Sequence, residues 1–328
     1  MPYAQINKFL ESKMALLVPG SLVIGIVLSD FAMNYAYIVP WIFALITFAG
    51  SLNLNLKDFW KAMARPIPVL VCIVFLHLLM PTIAYGLGSW IFQGDSYTIT
   101  GYILAFLIPT GIASFIWVSM YQGNIGLTLS IILIDTLLAP ILIPMMLKLM
   151  VGAEVEMNVW DIMRGLFWMI VVPSIVGMIL KEWRGNEIKE RFGTRLSILS
   201  KVGLAVVVFI NGSVVGPYLK NMNLKVIMII GLCFLTACLG FALAWLIARF
   251  LNWDKETTIA VTYNCGMRNN SAGAVLAIAY FPPAVSLPVV TVILFQQILA
   301  ALFGKWLELY YKKNEVPIRT VDRQVSGG

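Results

Sequence analysis

The chain has 328 residues, of which 60% are hydrophobic, roughly 197 in all and enough for about ten spans at the ~20 apolar residues that a bilayer requires. Charged residues make up only 12% and cluster between long uncharged runs, which excludes a soluble domain and points to an all-α polytopic membrane protein. The net charge of +7 does not argue for a nucleic-acid partner, because the basic residues sit at the ends of apolar runs, where the positive-inside rule places them.

In chain order, ten transmembrane helices are predicted near residues 15–29, 36–52, 68–92, 99–121, 125–151, 158–180, 196–216, 224–250, 256–281 and 284–310. Lys8 and Lys13 precede the first apolar run, as in a signal peptide, but no small-residue cleavage site follows, so the run is read as a retained span. Eighteen of the 23 Lys and Arg residues fall on one side of this topology, and Lys148, Arg164, Lys220 and Lys225 on the other. Arg268 remains, inside span nine. Both termini are therefore expected in the cytoplasm, with the protein multi-pass in the plasma (inner) membrane. The four cysteines lie inside apolar runs, which suits neither a disulfide scaffold nor a zinc site.

Ten spans divided by the charged loop at 181–195 suggest five plus five, and an odd number per half inverts the second copy. Phe48, Ala49, Gly50, Ser51 and Leu52 resemble Ile210, Asn211, Gly212, Ser213 and Val214 at an offset of 162. Helix breakers also fall at matching points. Span four carries Pro109, Thr110 and Gly111, while span nine carries Asn264, Gly266, Asn269 and Asn270, with Gly111 and Gly266 155 residues apart. Paired interruptions in inverted repeats point to a transporter site, because unwound backbone frees carbonyls for cations and helix N-termini for anions. Proline and glycine alone can merely kink a membrane helix, but three asparagines and an arginine at mid-membrane are costly unless they line a cavity.

Three ionisable residues lie deep in spans: His77, Asp135 and Arg268. An Asp or Arg there costs about 2.5–3.5 kcal/mol on insertion scales, so each is expected to face protein or water and to have a partner. Asp135 follows Thr128 by seven residues and shares its helix face, about 10 Å further along the axis. Gln296 and Gln297 are further polar residues at depth, suited to bonding between helices or to lining a cavity.

At these residues the chain resembles the bile acid:sodium symporter family of secondary transporters. The resemblance is carried by Leu52, Asn53 and Leu54 with Asp58 and Phe59, by the run from Pro109 to Ser114 with Gly123 and Asn124, by Leu137 to Pro140, and by Gly266, Met267 and Asn269. It implies a ten-helix inverted repeat in which broken spans four and nine cross. It also implies a panel domain at 1–65 and 152–220, a core domain at 66–151 and 221–311, and a cytoplasmic tail at 312–328. Substrate would bind beside the crossing, at Thr110, Asn269, Asn270, Gln296 and Gln297. Ser114 and Thr128 keep hydroxyls where sodium-using members have them. Phe115, Ile132, Asn264 and Arg268 replace asparagine, threonine, glutamate and glutamine, and His77 stands at another glutamine position. Two-sodium coupling is accordingly in doubt.

The ion-coupling or charge site is thus His77, Ser114, Thr128, Asp135, Asn264 and Arg268. If spans five and nine touch, as the family fold implies, Asp135 and Arg268 are expected to pair. Three readings of the set stay open: a structural salt bridge, Arg268 as a tethered stand-in for sodium, or a proton carried on Asp135 or His77. The function expected is transport of a small organic anion, a carboxylate or sulfonate, with Na+ or H+ as the possible coupling ion and no other cofactor. A membrane-embedded enzyme would have one histidine and no metal-ligand or nucleophile motif to work with. A passive channel would need continuous polar faces, whereas the polar residues concentrate at two interruptions.

Overall fold

The computed structural model describes residues 2–52, 66–111, 113–184 and 187–314. The family-like Asn53, Leu54, Asp58, Phe59 and Ile112, the basic Lys57, Lys61 and Arg65, and the tail beyond residue 314 lie outside the described residues. Among the described residues there are helices and no strands. In chain order they are α1 (Pro2–Val27), α2 (Ser29–Ser51), α3 (Pro66–Ile91), α4 (Ser96–Leu107), α5 (Ala113–Met120) and α6 (Ile125–Val151). The second half comprises α7 (Val159–Arg184), α8 (Glu187–Lys220), α9 (Leu224–Phe250), α10 (Lys255–Gly266), α11 (Asn270–Tyr280) and α12 (Pro283–Asn314).

Seven of the described helices are long and apolar enough to cross a membrane, and Leu16–Val27 and Ser96–Leu107 are shorter apolar helices. Helix α1 starts well before the expected residue 15, because nothing between Pro2 and the apolar run breaks a helix. Residues expected to link spans one and two instead form a 3-10 turn, Met33–Ile38, inside α2.

Helix starts follow local chemistry. Asp95, Asn124, Asn158, Asn223, Asp254 and Asn269 each accept a hydrogen bond from a first-turn N–H of the helix that follows. Two π turns, Phe75–Leu79 in α3 and Phe167–Val171 in α7, each end two residues before a proline, Pro81 and Pro173. Proline has no N–H to continue the i→i−4 ladder, and a wider turn accommodates the gap. The first π turn carries His77.

The helices pack in two groups. In one, α8 lies along α1 and α2, and α7 lies on α2; in the other, α12, α4, α3, α9, α10, α5 and α6 pack on one another, with α11 against α12. The groups meet where α8 touches α11 and α12, where α11 touches α2 and α7, and where α6 touches α7. Helices α1 and α8 approach backbone to backbone. A Cβ on Gly25 would lie 1.9 Å from the Phe209 carbonyl oxygen, and one on Gly212 would lie 2.5 Å from that of Leu22.

Candidate functional site

Both expected interruptions are present. Helix α4 ends at Leu107, and Ile108 is extended at ψ 140°, as a residue preceding proline should be. The chain becomes helical again at Ala113. Helix α10 ends at Gly266, Met267 is extended, and Asn269 caps α11. The two breaks touch: the Asn269 N–H donates to the Pro109 carbonyl at 2.8 Å, and a Cβ on Gly111 would sit only 3.4 Å from the Asn269 Cα.

Asp135 joins this crossing to α3. It is fully buried; Oδ2 accepts the Thr110 N–H at 2.6 Å, and Oδ1 lies 2.5 Å from His77 Nε2. Arg268 does not pair with Asp135: both Nη atoms are buried and have no hydrogen-bond partner among the described residues. The expected ion pair is thus replaced by His77–Asp135, because the π turn brings the imidazole to the carboxylate that the guanidinium was expected to meet. The guanidinium is still turned inward, facing Asp135, Cys72 and Cys265 at longer range, and the residue is 4% exposed.

Ser114, Thr128 and Asn264 form one connected set. Asn264 Nδ2 donates to Thr128 Oγ1 at 3.1 Å and to the Ala260 carbonyl at 2.8 Å, while its Oδ1 is 3.0 Å from Ser114 Oγ. The Ser114 hydroxyl has the Gly111 carbonyl as its other acceptor, at 2.8 Å. Thr128 Oγ1 and Asn264 Oδ1 thus each accept from a protein donor, the Ser114 hydroxyl donates, and Phe115 and Ile132 carry no side-chain oxygen to add to this set.

The expected substrate residues divide. Thr110 is tied to Asp135 through its backbone N–H, with its hydroxyl 3.5 Å from Ser114 Oγ. Asn270 Nδ2 donates to Gln296 Oε1 at 3.0 Å, and Gln296 Nε2 donates to the Arg268 carbonyl at 2.6 Å, so these residues and Asn269 line one side of the break. Gln297 turns away, accepting from Trp117 Nε1 at 3.0 Å beside stacked Trp117, Tyr121 and Tyr263. A surface recess of about 1250 Å³ at the start of α7, lined by Met145, Lys148, Met157 and Trp160 among others, includes none of the crossing residues. One polar residue escaped the sequence reading as a site: Asn211 in α8, fully buried, whose only signal was its place in the weak internal repeat.

Residues 40–222 match the profile described as the Sodium Bile acid symporter family. The chain belongs to that family. A relative in Bacillus subtilis (strain 168), "Uncharacterized protein YbaS", is 47% identical over 92% of this chain and 98% of its own length. "Uncharacterized sodium-dependent transporter YocS" of the same organism is 25% identical, over 87% of this chain and 86% of its own. The rice protein "Probable sodium/metabolite cotransporter BASS2, chloroplastic" is 24% identical, over 83% of this chain and 63% of its own. Family membership and the apolar helices make this a multi-pass membrane transporter rather than an enzyme.

Proposed function

We propose that the protein is a secondary transporter that moves a small organic anion, a carboxylate or sulfonate, by alternating access. The observation that carries this reading is the contact between the two interruptions, with Arg268 beside them, its Nη atoms buried and without a hydrogen-bond partner among the described residues. Positive potential at broken helix N-termini and at Arg268 favours an anion there. In this reading the chain has ten spans as a five-plus-five inverted repeat, with both termini in the cytoplasm and the protein in the inner membrane. Helices α1, α2, α7 and α8 are the panel, the remaining helices are the core, and substrate passes where the groups meet. The separate packing of the two groups supports that division.

The driving ion is where this chain departs from its family. Asn264, Ser114 and Thr128 satisfy one another, and a cation placed 4 Å from a guanidinium would be opposed by about 4 kcal/mol at an effective dielectric of 20, nearly a thousandfold in affinity. In our reading at least one of the two family sodium sites is absent, and uptake is uncoupled exchange or is driven by protons through His77 and Asp135. Ordinary sodium symport is the second reading, favoured by the printed names of the YocS and rice relatives. Uptake of a panel of labelled carboxylates and sulfonates into proteoliposomes, with sodium and proton gradients imposed separately, tests both. Failure to accumulate or exchange any of them under either gradient would refute the anion-transport reading.

A further inference from the structure

The recess of about 1250 Å³ lies away from the crossing, between the end of α6 and the start of α7. The chain that joins these two helices is held at three points. Glu154 Oε2 accepts from the Ser96 hydroxyl at 2.6 Å, Val155 is buried, and Asn158 caps α7. Glu156 sits between these anchors and lines the recess with its side chain exposed.

The lining grades from charge to hydrocarbon along the helix axes. Lys148 lies three residues from the end of α6, and Glu156 lies beyond that end in the connection. Met145 is six residues, about 9 Å, inside the end of α6, and Met163 is four residues, about 6 Å, inside the start of α7. Leu149 and Trp160 are 78% and 76% exposed on helices apolar enough to cross a membrane, so they face lipid, with the tryptophan at a helix end where headgroups lie. Charged groups at the helix ends over an apolar wall match a phospholipid, headgroup outermost and acyl chain inward.

The two charges select the headgroup. Lys148 and Glu156 line one recess, yet among the described residues neither forms an ion pair with the other or with any further residue. An anionic headgroup would satisfy Lys148 and be repelled by Glu156. A zwitterion satisfies both. A primary ammonium donates charge-assisted hydrogen bonds to a carboxylate, whereas a quaternary choline has no N–H to donate.

We propose that this recess binds one aminophospholipid of the phosphatidylethanolamine type, its phosphate on Lys148, its ammonium on Glu156 and an acyl chain along Met145, Leu149, Trp160 and Met163. The site needs only the membrane embedding established above and is independent of what the protein carries. Because α6 and α7 belong to different helix groups, a lipid seated here ties one group to the other.

The test uses the full-length protein in mild detergent, titrated with phosphatidylethanolamine, phosphatidylcholine and phosphatidylglycerol of identical acyl chains. Native mass spectrometry reads the lipid retained, and the melting temperature is followed alongside. One ethanolamine lipid per chain is expected to be retained about three- to fivefold more than either of the others, the strength of one exposed ion pair, and to raise the melting temperature more. Glu156→Gln is expected to bring ethanolamine and choline lipids to equal retention, and Lys148→Gln to weaken both. Each of these side chains is exposed, so both variants are expected to fold. Equal retention of the three lipids by the wild type, tighter binding of the glycerol lipid, or an ethanolamine preference that survives Glu156→Gln would overturn the site. Native masses of a lipid-free dimer would overturn it too, since a second copy of the chain would then cover the recess.

Discussion

Asp135 holds three parts of the structure together with one side chain: the π turn of α3 through His77, the unwound backbone of span four through Thr110, and its own helix α6. Breaking a buried, bonded pair by removing one partner typically costs about 3–5 kcal/mol. Asp135→Asn is therefore expected to lower the melting temperature of the detergent-purified protein clearly, whereas His77→Gln, which can still bond the carboxylate, is expected to lower it less. Equal melting for all three proteins would show that the pair carries no stability. Arg268 presents the opposite case, because both of its buried Nη atoms have no hydrogen-bond partner among the described residues. Arg268→Gln should leave the melting temperature unchanged or raise it, while slowing sodium-independent uptake; a large loss of stability would mean that the guanidinium is structurally bonded. The sequence showed that these three ionisable residues needed partners but not which pairs form, because the pairing depends on a π turn whose cause, Pro81, lies four residues beyond His77.

At the level of elements, the two helix groups touch where a glycine leaves room for the end of a tyrosine ring. A Cβ on Gly165 of α7 would lie 1.7 Å from the Tyr280 hydroxyl oxygen at the end of α11. Because Tyr280 is 37% exposed and its ring can turn, Gly165→Ala is expected to displace the ring at a cost of at most about 1 kcal/mol, below that of an overpacked core contact, and Tyr280→Phe in the same protein should recover part of the loss. Thermal melting of the single and double variants checks this, and no recovery would place the strain elsewhere. A second tie joins α4 to α9, with the Asp95 carboxylate 2.5 Å from Lys225 Nζ. Burial raises the Asp95 carboxyl, but the Lys225 ammonium and the Thr98 hydroxyl and amide outweigh it and hold the group below its ordinary value. A carboxyl lowered by folding adds stability that is complete above its unfolded value and is lost as the pH falls through the folded one. Asp95→Asn, which preserves a good helix cap, should thus cost at most about 1 kcal/mol at neutral pH, because Lys225 is half exposed. That difference should vanish as the pH drops below about 4. A difference that grows on acidification would contradict this assignment.

For the molecule as a whole, the broken helices were legible because proline, glycine and asparagine act locally: Pro109 removes a donor and forces Ile108 extended, and Asn269 caps the helix that restarts. Membrane embedding was legible from apolar run lengths, and family membership from the residues around the crossing. That the buried amide of Asn211 lacks a partner among the described residues was not legible, since this appears only once its neighbours are in place. Nor was the mutual satisfaction of Ser114, Asn264 and Thr128, residues that span 150 positions of sequence and meet only across α5, α6 and α10. That closed network, together with Arg268, underlies the central claim that this family member does not depend on two sodium ions. The most direct measurement is uptake of a transported carboxylate into proteoliposomes as sodium is replaced by potassium or choline. Uptake is expected to persist without sodium; a steep sodium dependence with a Hill coefficient of about two would contradict the account and would require Arg268 to leave the crossing.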